Sequence, residues 1–164
     1  MKKEIRDFQI YVLCGIPGSG KSTWAEQHLR EKPIVSRDAI RFAMVDEAEE
    51  YFSREKEVFE SFINAIVGAC KTFGCCVVDA THISKASRRK LLCALDEQIK
   101  GHYDTTIIYF NVPLEICLKR NKLRDGRALV PEQAIYSMYN QFTEPEYNEH
   151  ESIKGIWKIG GRLF

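Results

Sequence analysis

The sequence predicts an α/β fold, a central parallel sheet with helices on both faces. Two observations carry this. Short apolar or β-branched runs alternate with helix-period segments along the whole chain, and strands separated by helices require parallel crossover connections. The strand ends then carry the polar and glycine-rich segments Gly15–Thr23, Arg37–Asp38, Asp79–His82 and Asn111–Pro113. In open α/β sheets ligands sit at those carboxyl ends.

The elements follow in order. Gln9–Cys14 (QIYVLC) reads as a short buried strand and Ser22–Arg30 as a helix. Pro33–Ser36 is a strand candidate and Arg37–Met44 a short helix. A longer helix is expected over Glu50–Phe73, because Phe52, Phe59, Phe62, Ile63, Ile66, Cys70 and Phe73 recur at threes and fours. Gly74 stops it. Cys75–Asp79 is the next strand, and Ser84 caps a helix reaching about Lys100, with Leu91, Leu92, Leu95 and Ile99 on its core side. Thr105–Phe110 is a β-branched strand. Pro113 suits the first turn of a helix through Leu123, Asp125–Gly126 a turn, Pro131 the start of a helix through Phe142, and Gly155–Ile159 a last strand.

Length and composition fit one domain over residues 1–164: the chain is 45% hydrophobic and 29% charged, enough for a proper core. A net charge of +1 excludes a basic nucleic-acid wrapper, so any polyanion must meet a local patch. No apolar run reaches membrane-spanning length, and MKKEIRDF lacks a signal-peptide apolar region. The six cysteines, Cys14, Cys70, Cys75, Cys76, Cys93 and Cys117, form no spaced C-x-x-C pair. All are expected to be reduced core thiols of a cytoplasmic protein, with Cys75 and Cys76 on opposite faces of their strand.

Gly15-x-x-x-x-Gly20-Lys21-Ser22 fits the phosphate-loop pattern completely, between a strand and a helix as the mechanism requires. Glycines at 15, 18 and 20, with Pro17 and Ser19 between them, let successive N–H groups turn toward one anion, and the helix that follows adds its positive end. Lys21 can reach the β and γ phosphates of ATP, Ser22 can ligate Mg²⁺, and Thr23 completes the motif.

Other residues admit two readings. Asp38 and Arg41 share a helical face; they are a first-turn Asp with a surface Arg, or a general base with an anion clamp. Asp79 either caps the loop or holds Mg²⁺ with Ser22. His82 reads as an ordinary loop histidine. Arg120 and Arg124 lie one turn apart and Arg127 follows; they are a solvated helix end or a mobile lid that closes over phosphates. Ser84–Lys90 (SKASRRK) reads as a solvent face, with contact to nucleic-acid phosphates as its alternative. Tyr136, Tyr139 and Phe142 read as a core stripe rather than a base-stacking platform.

Taken in order, GIPGSGKSTW, SRDAIR, VVDATH with SRRKLL, and FNVPLEICLKRN followed by SMY resemble the kinase domains of polynucleotide 5′-hydroxyl kinases from phage and bacterial end-healing enzymes. The resemblance runs from about Gln9 to Phe142. It implies a P-loop kinase fold with an arginine-bearing lid, and ATP-dependent transfer to the 5′-hydroxyl end of RNA or DNA. It implies Asp38 as general base, Arg41 on the acceptor's 3′ phosphate, Lys21 and Ser22 on ATP–Mg²⁺, and lid roles for Arg120, Arg127 and Arg124. Asp79 matches the bacterial form, whereas His82 stands where the family often has Asn. Relatives commonly carry a phosphatase or ligase domain, so separate chains of those kinds are candidate partners. Two alternatives stay open: a small-molecule, nucleoside or sugar-nucleotide kinase on the same fold, and a nucleotide-binding switch without transfer.

Overall fold

A run of apolar residues, FQIYVLC, forms the central strand β1 (Phe8–Cys14), in which Ile10, Val12, Leu13 and Cys14 are fully buried. The computed structural model describes residues 7–160; the reading of MKKEIR as free of a signal segment lies outside the described residues. Along the chain follow α1 (Lys21–His28), β2 (Ile34–Ser36), α2 (Arg37–Met44), α3 (Glu55–Phe73), β3 (Cys75–Asp79), α4 (Lys85–Gln98), β4 (Tyr103–Asn111), α5 (Leu114–Asn121), α6 (Glu132–Gln141) and β5 (Ile153–Gly160). The strands form one five-stranded sheet in the order β2-β3-β1-β4-β5, and every pair is parallel. The expected α/β architecture is therefore the observed one.

Alternation along β1 serves two cores. Ile10, Val12 and Cys14 pack with Phe62 and Ile66 of α3 and Leu91, Leu92 and Leu95 of α4. Leu13 points the other way, toward Ala25 of α1 and Ile108 and Phe110 of β4. Burying both faces is what lets a parallel sheet form at all. A third cluster, Ile16, Ile83, Cys117 and Ile135, lies beneath α5 and α6 and anchors the phosphate loop to that side of the molecule.

Local signals set several boundaries. Gly74 ends α3 at φ 78°, donating its N–H to Cys70 O at 2.8 Å. Ser84 caps α4 in a reciprocal box with Ser87. Pro113 and Pro131 stand one position outside their helices as N-caps, in extended backbone, instead of in the first turn. The helix expected from Glu50 begins at Glu55, and residues 46–54 are mostly turns. Phe52 consequently falls out of the helical stripe and is 60% exposed, and Phe73 in the last position of α3 is also exposed.

Three other expectations fail. Ser84–Lys90 is not simply a solvent face, because Arg88 is fully buried. Tyr136 and Tyr139 are exposed, since Ile135 and Met138 take the inward face of α6. The six thiols are all free, but Cys93 is exposed and Cys75 only half-buried, so they are not uniformly core. Among the described residues no helix is long and apolar enough to cross a membrane.

Candidate active site

The loop after β1 is pinned at both ends. Gly15 N–H donates to Thr81 O at 2.9 Å, tying it to the segment after β3, and Ser19 N–H donates to Ile16 O at 3.1 Å. Gly18 and Gly20 have φ of 84° and 83°, a region that side chains rarely adopt. A Cβ on Gly18 would stand 2.4 Å from the backbone oxygen of Cys117, so only glycine permits this approach to α5. Gly20 is the N-cap of α1 and offers no side-chain acceptor. The first N–H groups of α1 are thus left for an anion. The buried Ser19 hydroxyl also has no protein partner among the described residues. These donors fit a polyphosphate.

Lys21 opens α1 inside this concavity. Burial pushes its ammonium pKa down, while the Asp79 and Asp38 carboxylates pull it back up. Ser22 Oγ donates to Asp79 Oδ2 at 2.7 Å. This hydroxyl–carboxylate pair is the hard oxygen set that Mg²⁺ prefers, and the fit is that of a partial site. Among the described residues no group of three His, Cys, Asp or Glu gathers to hold a metal alone. An ion here needs phosphate oxygens and water to complete its shell.

Ser36 caps α2, its hydroxyl accepting from Ala39 N–H at 3.2 Å, and so aims the first turn at the same space. Asp38 there is 66% exposed by its side chain, whereas Arg41 is only 6% exposed. Arg41 Nη1 donates to Asp38 Oδ1 at 2.6 Å, and Tyr51 Oη donates to the same oxygen at 3.3 Å. The remaining guanidinium edge grips Glu55, from Nε at 3.2 Å and from Nη2 at 2.9 and 3.0 Å. Arg37 pairs with Glu55 as well. Glu55 lies fourteen positions from Arg41 in another helix, so no local spacing flags it.

His82 is not an ordinary loop histidine. It is buried at φ 41°, its Nδ1 sits 3.1 Å from Leu13 O, and burial lowers its pKa to about 4. Its carbonyl accepts from Arg88 Nη1 at 3.0 Å and from the Cys14 thiol at 3.0 Å. Burial pushes that thiol up to about 11, so it remains a neutral donor. Arg88 forks onto Glu149 with two bonds of 2.7 Å and reaches Thr143 Oγ1 at 3.2 Å. This network underlies the segment that holds Gly15.

The arginines lie on or after α5. Arg120 Nη1 donates to Gly18 O at 3.2 Å, so it already touches the phosphate loop. Arg124 follows the helix, which ends at Asn121, and is not one helical turn beyond Arg120. Asn121 is buried and bonds both Val130 O at 2.7 Å and Val130 N–H at 3.0 Å, closing residues 122–130 into a belt. In a 3₁₀ turn of that belt (Gly126–Ala128), Arg127 donates to Phe42 O and Val45 O at the end of α2. Carbonyls there have no helical partner, and the helix end attracts a cation.

A cavity of about 690 Å³ brings Pro17, Lys21, Ser22, Asp38, Arg41, Asp79, Arg124 and Arg127 together. Gly15, Gly18, Ser19 and Gly20 belong to the loop that carries Pro17 and Lys21 but do not themselves line the cavity, and Thr23 is exposed on α1 away from it.

A phosphate loop on a five-stranded parallel sheet, a Ser–Asp pair beside its lysine, and an arginine-bearing belt make this a P-loop domain of kinase-like fold. Residues 10–145 match the family described as AAA domain, and the chain belongs to it. A chain of the Pnkp1/Rnl/Hen1 RNA repair complex superposes with a TM-score of 0.69 at 24% identity, over 86% of this chain and 46% of its own. A gluconokinase from Sinorhizobium meliloti 1021 gives 0.55 at 15% identity, over 98% and 86%. Kti12 of Chaetomium thermophilum, in complex with ADP-AlF3, gives 0.55 at 16% identity, over 92% and 88%. At such identities the likeness is one of fold. The chain spans about half the length of the RNA-repair chain it matches.

Proposed function

We propose that this domain transfers the γ-phosphoryl group of ATP to the 5′-hydroxyl end of a polynucleotide. One observation carries the reading: Asp38, an exposed carboxylate, shares a cavity with Lys21, Ser22 and Asp79, and has Arg41 one turn away. Loop N–H groups and Lys21 bind the phosphates. Ser22 and Asp79 would hold Mg²⁺, which when bound neutralises charge on the phosphate oxygens. Asp38 accepts the proton of the 5′ hydroxyl as its oxygen bonds to the γ phosphorus. The bond from that phosphorus to the bridging oxygen breaks, and ADP leaves with the electron pair. Arg41 orients the acceptor through its neighbouring phosphate. Arg120 at the loop, with Arg124 and Arg127 in the belt, offsets charge on the transferring group. Separate phosphatase or ligase chains would supply the other end-healing steps.

A second reading, a kinase for small acceptors, is favoured by one feature. Asp46, Glu47, Glu49 and Glu50 are exposed just beyond α2, beside the cavity, and disfavour a long polyanion along that rim. The deciding assay supplies γ-labelled ATP and Mg²⁺ with a 5′-hydroxyl oligonucleotide, a nucleoside or a sugar. Label on the oligonucleotide that is lost in Asp38→Ala is the expected result. Label confined to the small acceptors would overturn the polynucleotide reading in favour of the second.

A further inference from the structure

The acceptor half of the cavity has a feature that neither the base nor the phosphate sites use. Phe42, Tyr51 and Phe52 gather beside Asp38 and all line the cavity. Tyr51 meets Phe42 edge-on at 6.3 Å and Phe52 edge-on at 4.7 Å between centroids. Two of the rings are already faced by guanidinium groups: Arg127 lies 4.7 Å from the Phe42 centroid and Arg41 4.9 Å from that of Tyr51. Arg41 also lies 5.3 Å from the Phe52 centroid, yet Phe52 remains 60% exposed. Leu129 of the belt, with Pro131 and Met138 at the start of and within α6, adds apolar lining to the same cavity, and Leu129 is 46% exposed.

Exposed single aromatics are common on protein surfaces. This one is different because it lies in a concavity with a carboxylate of the reaction site, with apolar side chains elsewhere in the lining. A polyol acceptor needs hydrogen-bond partners at each hydroxyl, which rings and aliphatic side chains do not give. A flat heteroaromatic ring suits such walls, because base–aromatic stacking needs only a π face. Arg41 is held by Glu55 and Asp38, so its guanidinium plane is fixed against the rings rather than free to sweep the site.

We infer that Phe52, backed by Tyr51 and Phe42, is a stacking subsite for the nucleobase of the acceptor's 5′-terminal nucleotide. The inference rests on the proposed function and deepens it: the terminal base is held between aromatic and belt side chains, and its sugar brings the 5′ hydroxyl to Asp38. The subsite reads no sequence, because every base has a π face.

The test uses two 5′-hydroxyl oligonucleotides differing only in the first residue, a normal adenine nucleotide or an abasic one. Wild-type protein should favour the base-bearing end in kcat/KM by about 5- to 150-fold, the range that base–aromatic stacking spans. Phe52→Ala should collapse that ratio toward one, chiefly through KM, and Phe52→Trp should restore it. Phe52 sits in an exposed turn, so its truncation leaves both cores intact. A ratio that persists in Phe52→Ala, or a wild-type enzyme indifferent to the abasic end, would overturn the subsite and leave the kinase reading standing. If neither oligonucleotide is labelled, the kinase reading fails, and quenching of 2-aminopurine riboside fluorescence decides the subsite separately. Quenching by wild type that is lost in Phe52→Ala supports it, and no quenching overturns it.

Discussion

Glu55 holds Arg41 by a forked contact, with Arg41 Nη2 2.9 and 3.0 Å from its two carboxylate oxygens. The pair joins α2 to α3 and fixes the guanidinium beside Asp38. Glu55→Ala leaves this buried arginine short of partners. The expected cost is about 2 kcal/mol, or roughly 30-fold in kcat/KM. Glu55→Gln should retain part of it. Steady-state kinetics with a separate measurement of ATP affinity check this, since the phosphate loop is untouched and ATP binding should hold.

Asp38 offers the exposed carboxylate that a hydroxyl acceptor requires. Asp38→Ala should lower kcat on the order of 100- to 10,000-fold, the usual contribution of a general base. Calorimetric titration with ATP should show affinity close to wild type. Full turnover in the variant would remove Asp38 from the base role.

Arg88 and Glu149 are both buried to the last percent of their side chains. Arg88→Met or Glu149→Gln strands one partner, and urea unfolding should show a loss of about 3–5 kcal/mol. Replacing both by Met and Leu should recover much of that, because the desolvation of two ions is also removed. A single variant as stable as wild type would contradict the burial.

His82 makes the fold acid-sensitive. Its folded-state pKa is lowered from 6.5 to about 4, by burial first and then by the charges of Arg37, Lys21 and Arg88, against the opposing Leu13 carbonyl. The unfolded chain therefore binds a proton near pH 6.5 that the folded chain refuses until about pH 4. Stability should be full above that window and fall as pH drops through it, by about 3 kcal/mol. Urea midpoints across the window measure the slope, and His82→Gln should flatten it.

Gly18 permits no side chain. Gly18→Ala would strain a backbone at φ 84° and drive a methyl to 2.4 Å from Cys117 O. ATP affinity should fall sharply while the sheet still folds, as nucleotide titration and circular dichroism would reveal.

The phosphate loop could be read from the chain because its conformation is local: glycine spacing, a preceding strand and a following helix specify it within residues 8–28. Ser22 and Asp79 were each visible, and the sheet order alone brings them together. What the sequence hid was contact at long range. Arg88 looks like part of a basic helix face until a carboxylate 61 positions later meets it. Phe52 continues the helical period of α3, yet it lies in the turn that precedes the helix. Tyr136 and Tyr139 keep helical spacing with Phe142, but Ile135 wins the inward direction. Periodicity names a stripe without saying which neighbours bury it.

The strut under the phosphate loop has a consequence for how the protein is made. Cys14, His82 and Arg88 are synthesised first, and Thr143 and Glu149, which complete their network, follow 55 and 61 positions after Arg88. A nascent chain on the ribosome therefore carries its glycine loop long before that loop has its support. A product cut short before Glu149 would leave Arg88 in the core without its carboxylate partner.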